Sequence, residues 1–146
     1  MLPRTIATIR AFNRYYTAVI GLLDKNYLES GYSLTEARIL FELNAHPQGI
    51  TAKDLIATLK VDKGYLSRLI QVLVKSGLVD KRQAVSDKRA FRLMLSKKGT
   101  AVFNTLDSRS EAQIKQLLSA LTREEGHELA RHMEAIEQLL QKQIIR

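Results

Sequence analysis

Apolar residues recur every three or four positions from Ile6 through Ile9, Phe12, Tyr16, Val19 and Leu23 to Tyr27, which is the period of an amphipathic helix. The pattern predicts a long first helix over about 4–28, ended by the run Ser30-Gly31-Tyr32-Ser33. Ser33 and Glu36 stand at the spacing of a capping box, in which each side chain satisfies an open amide of the other residue, and a second helix is expected over 34–45. The segment His46-Pro47-Gln48-Gly49 stops it. Thr51 with Asp54 repeats the start signal for a short third helix over 52–59. Only Lys60, Val61 and Asp62 then precede the next helical pattern, a connection that forces a sharp corner.

The fourth helix lies between Asp62 and Gly77. Asp62 is placed to accept a bond from the first turn, and Val61 and Leu66 have the spacing of a hydrophobic staple. Gly77 supplies a left-handed stop, with Lys75 near the negative end of the helix dipole. An advance of roughly 100° per residue groups Leu66, Leu69, Ile70 and Leu73 on one side and Gly64, Ser67, Arg68, Gln71 and Lys75 on the other. After Gly77 the period shortens: Leu78–Gln83, a polar tip over 84–89, then 90–95, where Phe91, Leu93 and Leu95 alternate with Arg92 and Met94. This reads as a β-hairpin with a basic tip. Ser96 caps a fifth helix running to about 118, and Thr122 with Glu125 opens a sixth that reaches the end of the chain.

An amphipathic helix with a polar face is ordinarily half solvated, so the charge distribution decides how that face is read. The chain has 146 residues and a net charge of +8. Residues 60–98 hold eleven basic groups against three acidic ones, and the remainder is balanced, so the whole excess lies in the helix and hairpin just described. A confined basic excess is the footprint expected for a polyanion, and nucleic acid becomes the leading partner. With no cysteine, disulfides, thiolate nucleophiles and cysteine zinc sites are excluded. No apolar run is long enough for a membrane span and no signal-peptide core is present, so a soluble cytoplasmic protein is expected.

The order helix, helix-turn-helix, basic hairpin between long terminal helices resembles the winged helix-turn-helix of the MarR family of bacterial transcription regulators. Residues 34–43 are similar to that family's second helix, 50–79 to its helix-turn-helix, and 86–99 to its wing, whose Asp-x-Arg falls on Asp87 and Arg89. The resemblance implies a mainly α fold with a small β-hairpin wing, divided as an N-terminal dimerisation helix over 1–33, a DNA-binding domain over 34–99 and C-terminal dimerisation helices over 100–146. Gly64 and Tyr65 are similar to regulatory domains that in some relatives precede an acetyltransferase domain, which this chain ends too early to include. As in that family, the fourth helix would enter the major groove, where Gly64 lets the backbone approach, Tyr65 beside it is a further DNA-contact candidate, and Ser67, Arg68 and Gln71 reach base edges. Arg68 is the candidate for a bidentate contact to guanine, with Lys63, Lys75 and Lys88 on or near phosphates. The resemblance also implies that Arg89 enters the minor groove while Asp87 orients its guanidinium.

The C-terminal helix carries Leu129, Met133, Ile136, Leu140 and Ile144, and the first helix carries Ile6, Ile9 and Phe12, more apolar surface than one small winged domain needs. A homodimer held by these helices and reading a pseudo-palindromic operator as a repressor is therefore expected. Family members place a small phenolic or aromatic acid between the terminal helices and the winged domain, and Arg14, Tyr15, Tyr16 and His46 are the residues that such an effector would meet here.

Catalysis finds no support. His127 and His132 are five residues apart, about 140° around a helix, which breaks the zinc-binding H-E-x-x-H pattern. With no phosphate-cradling glycine loop and no paired carboxylates, neither an enzyme nor a cofactor is expected. Two other readings stay open at this point: a winged-helix module that binds protein, and a nucleic-acid binder without operator specificity.

Overall fold

The computed structural model describes residues 2–83 and 91–144, without side chains at 23–29 and 143–144. The chain divides into two compact units, Met1–Arg109 and Ser110–Arg146.

In the first unit, helix α1 (Pro3–Glu29) begins with proline at the position where its missing amide costs nothing. Helix α2 (Leu34–Ala45) has the expected bounds, and its capping box is complete: Ser33 Oγ accepts from the Glu36 amide at 3.1 Å, and Glu36 Oε1 accepts from the Ser33 amide at 3.1 Å. Its buried residues Ile39, Leu40 and Leu43 form one wall of the core. Gly49, at φ +97°, turns the chain into strand β1 (Ile50–Thr51), an element the residue pattern did not announce.

Thr51 caps helix α3 (Ala52–Leu59), accepting from the Asp54 amide at 3.2 Å. The corner that follows is made by Lys60 in the left-handed conformation, φ 53° and ψ 42°, the only non-glycine with positive φ among the described residues. Arg38 of α2 supports it by donating to the Leu59 carbonyl at 3.3 Å, satisfying one of the acceptors that a helix end leaves open. Helix α4 (Lys63–Lys75) starts on Asp62, whose carboxylate accepts from the Tyr65 amide at 2.9 Å, and Gly77 at φ +81° ends it.

Strands β2 (Val79–Gln83) and β3 (Phe91–Leu95) pair antiparallel, and β1 adds to the far side of β3, giving the order β1-β3-β2. Leu93 pairs with Ile50 on one side and stands opposite Lys81 on the other; Leu93 and Ile50 are buried, so this is the core face of β3. Phe91 lies two residues from Leu93 yet is 41% exposed, because the core ends before the strand does. Its ring instead carries the Lys81 ammonium 4.6 Å from its centroid, a cation–π contact.

Helix α5 (Lys97–Leu118) closes the core with Phe103 and Leu106. Ser96 is its cap, accepting from the Gly99 amide at 2.9 Å, and its own amide donates to the Leu78 carbonyl at 3.0 Å. Gly99 rests directly on that carbonyl: a Cβ there would lie 2.0 Å from the Leu78 oxygen. No larger residue fits without moving the backbone.

The second unit contains the C-terminal part of α5 and helix α6 (Arg123–Ile144). Thr122 and Glu125 form a second reciprocal cap, with bonds of 2.9 and 3.1 Å. Glu124 and Glu125 lie in the first turn and Lys142 in the last, each favourable to the helix dipole. Among the described residues no helix is long and apolar enough to cross a membrane.

Candidate nucleic-acid interface

Helix α4 is held by Leu66, Ile70 and Leu73, which are at most 8% exposed, with Leu69 partly buried against the same core. The opposite face leaves Lys63, Gly64, Tyr65, Arg68, Gln71 and Lys75 exposed, as the helical period requires. Ser67 is half-buried and so sits at the flank of that face rather than on its crest. Val72, 54% exposed, adds an apolar position that the polar reading of the face passed over.

The start of α4 already holds one negative charge, the Asp62 carboxylate that accepts from the Tyr65 amide. Its first turn has no acidic residue of its own, and its open amides and dipole favour an anion. Arg68 lies back toward this end: a Cβ built on Gly64 would stand 3.8 Å from the Arg68 Nη1 and 3.3 Å from the Asp62 Oδ2. Gly64 thus leaves a bare notch beside Arg68, and the Asp62 carboxylate nearby offsets the cost of a cation near the positive helix end.

Basic side chains continue onto the hairpin. Lys81 rests over Phe91, and Arg82 stands directly opposite Arg92 in the β2–β3 register. Asp87, Lys88 and Arg89, the expected wing-tip contacts, lie outside the described residues. Sequence reasoning missed the Arg82–Arg92 pairing because register depends on how many residues the tip consumes, which composition does not reveal.

Of the residues expected at a dimer interface, Ile6, Ile9 and Phe12 on α1 are 47%, 53% and 42% exposed. On α6, Met133, Ile136 and Leu140 are 42%, 39% and 52% exposed and Leu129 is half-buried, whereas the Ile144 side chain lies outside the described part. The residues expected near an effector are not gathered into one site. Tyr16 stacks on Phe12 with ring centroids 5.5 Å apart, and Arg14 and Tyr15 are exposed. His46 lines a cleft with residues of β1, α3 and β3 that none of those three α1 residues joins. His127 is exposed, and His132 meets Glu128 at 3.4 Å.

A helix-turn-helix followed by a hairpin, with the second helix solvent-facing and basic, defines a winged helix-turn-helix protein. Residues 30–90 of the chain match the model of the MarR family of transcriptional regulators. It is similar to the HTH-type transcriptional regulator BilQ of Clostridium symbiosum, 29% identical over 120 residues that cover 79% of this chain and 83% of that one. Among solved structures, a MarR protein from Peptoclostridium difficile superposes with a TM-score of 0.79 at 26% identity, covering 99% of this chain and 95% of that one. A mutant MarR from E. coli complexed with operator DNA superposes with a TM-score of 0.75 at 22% identity, covering 91% and 95%.

Proposed function

We propose that this regulator binds double-stranded DNA as a cytoplasmic homodimer and represses transcription from a pseudo-palindromic operator. The observation that carries the reading is the exposed face of α4, where Gly64, Arg68, Gln71 and Lys75 share one side of a helix anchored by its other side. Arg68 and Gln71 read base edges in the major groove, while Lys63 and Lys75 meet phosphates. The wing tip reaches the adjacent minor groove through Arg89, oriented by Asp87, with Lys88 beside it. Residues 34–99 act as the DNA-binding part, and residues 1–33 and 100–146 as the dimerisation parts. The exposed apolar residues of α1 and α6 support this division. Release by a small phenolic or aromatic acid is the regulatory step proposed, with Arg14, Tyr15, Tyr16 and His46 as its candidate contacts.

Binding-site selection from random duplexes, followed by fluorescence anisotropy, tests the reading. The expected outcome is a two-fold related site with half-sites about 34–36 Å apart and an affinity that falls steeply with salt. Equal affinity for selected and scrambled duplexes would reduce the protein to a non-specific polyanion binder.

A further inference from the structure

The outer face of the three-stranded sheet bears a second feature beside the α4 face. Arg82 and Arg92 are direct cross-strand partners, and Thr51 flanks Arg92 on the other side. Like charges placed opposite each other weaken a sheet, and neither arginine forms an ion pair with a carboxylate among the described residues. Arg92 is nevertheless held in place: its Nη1 donates to the Gly49 carbonyl at 3.2 Å. The loop is shaped around it, since a Cβ on Gly49 would come 2.9 Å from the Arg92 Cβ. A guanidinium has five N–H donors in a rigid fork, so most of this one's capacity remains for a carboxylate.

Arg92 forms one wall of an open cleft of about 490 Å³ whose other walls are His46, Gly49, Ile50, Asp54, Ala57 and Thr58. That volume falls in the range of small-molecule sites. Asp54 is the one acidic residue among those walls. His46 Nδ1 lies 2.8 Å from the Glu42 carbonyl, so in the neutral ring that nitrogen carries the proton and Nε2 is an acceptor. Thr58 spends its hydroxyl proton on the Asp54 carbonyl at 2.9 Å. A simple anion would be drawn to Arg92 but repelled by Asp54, and a simple cation would meet the reverse.

We infer that the cleft binds a small zwitterionic molecule, its carboxylate held by Arg92 with Arg82 adding to the field, and its ammonium group held by Asp54 and the His46 acceptor. Ala57 supplies apolar surface for the carbon chain between the charges. This inference stands independently of operator recognition.

The probes are 4-aminobutyrate, butyrate and butylamine, titrated into the full ¹⁵N-labelled chain while amide shifts are followed by NMR. Saturable shifts at Gly49, Ile50, Asp54 to Thr58 and Arg92 are expected with 4-aminobutyrate, and binding weaker by about tenfold with either single-charge analogue. Arg92→Gln keeps a donor for the Gly49 carbonyl but removes the charge; it should weaken 4-aminobutyrate binding by about tenfold. Asp54→Asn should erase the preference over butyrate. Shifts that do not saturate, that map elsewhere, or that persist unchanged in Arg92→Gln would overturn the assignment.

Discussion

Leu40 and Leu140 both sit on the apolar stripe of an amphipathic helix, yet the first is wholly buried and the second is 52% exposed. Leu40 belongs to α2, which packs with α3, α4, the sheet and α5 around one closed core. Leu140 belongs to α6, where Met133, Ile136 and Leu139 are exposed with it. The N-terminal part of α1 is in the same condition. Periodicity thus reports that a helix has a face to cover, not what covers it. In the winged region the cover is the chain's own sheet and helices; on α1 and α6 the apolar stripe is what a second copy would bury.

The sharpest way to break the closed region is at Gly99. Gly99→Ala places a methyl group 2.0 Å from the Leu78 oxygen, and the contact is with backbone, which cannot rotate away. The α5 start and the β2 start must separate, at a cost of more than about 3 kcal/mol. Urea unfolding of the two proteins measures it. A loss under about 1 kcal/mol would mean that the junction adjusts freely and the core is less closed than described.

The open region breaks differently. Ile136→Glu adds a charge to the exposed stripe of α6. In a dimer it would bury an unpaired carboxylate at a cost of several kcal/mol. Light scattering at micromolar concentration should report a monomer, and operator affinity should fall by about a hundredfold as the second half-site is lost. A dimer that persists unchanged would move the interface elsewhere.

On the proposed DNA-facing side, Arg68→Ala should cost about 1–3 kcal/mol on the preferred operator and less on a scrambled duplex. Gly64→Ala sharpens this, because its two effects have opposite signs. Helix propensity favours alanine by about 0.5–1 kcal/mol, and where the Asp62 carboxylate 3.3 Å from the new methyl shifts by a few tenths of an ångström the fold becomes slightly more stable, while the filled notch beside Arg68 weakens operator binding. Equal losses on operator and scrambled duplex in Arg68→Ala would reassign that residue to phosphate.

Much of this architecture was legible beforehand, and the gaps have physical reasons. The bounds of α2 and both reciprocal caps followed from Ser33, Glu36, Thr122 and Glu125, because a cap is a local device whose parts are four residues apart or fewer. Strand β1 escaped notice since two residues are too few to alternate. The Lys60 corner carries no glycine, so the left-handed turn had no marker; Arg38, 21 residues away from its Leu59 partner, helps to hold it. In the candidate interface the α4 face was readable from period alone. Ser67 at its flank and Arg82 opposite Arg92 were not, because each depends on how separate elements pack or align.

The smallest effects test whether the two regions respond separately to the same lesion. Ser33 and Thr122 perform one task, each accepting from a glutamate amide at 3.1 Å at a helix start. Either change to alanine removes a cap worth about 1 kcal/mol. In the proposed dimer, where α6 would be covered and unfold with everything else, both variants should lose about that much. In the Ile136→Glu monomer the expectation splits. Ser33→Ala still loses about 1 kcal/mol because α2 remains part of the closed core, whereas Thr122→Ala costs less than about 0.5 kcal/mol in the global melt, since an uncovered α6 frays before the core opens. Faster amide exchange at Glu125 and Gly126 would accompany that smaller cost. Equal global costs in the monomer would show α6 folding cooperatively without a partner, and the contrast between a self-covered region and a partner-covered one would fall.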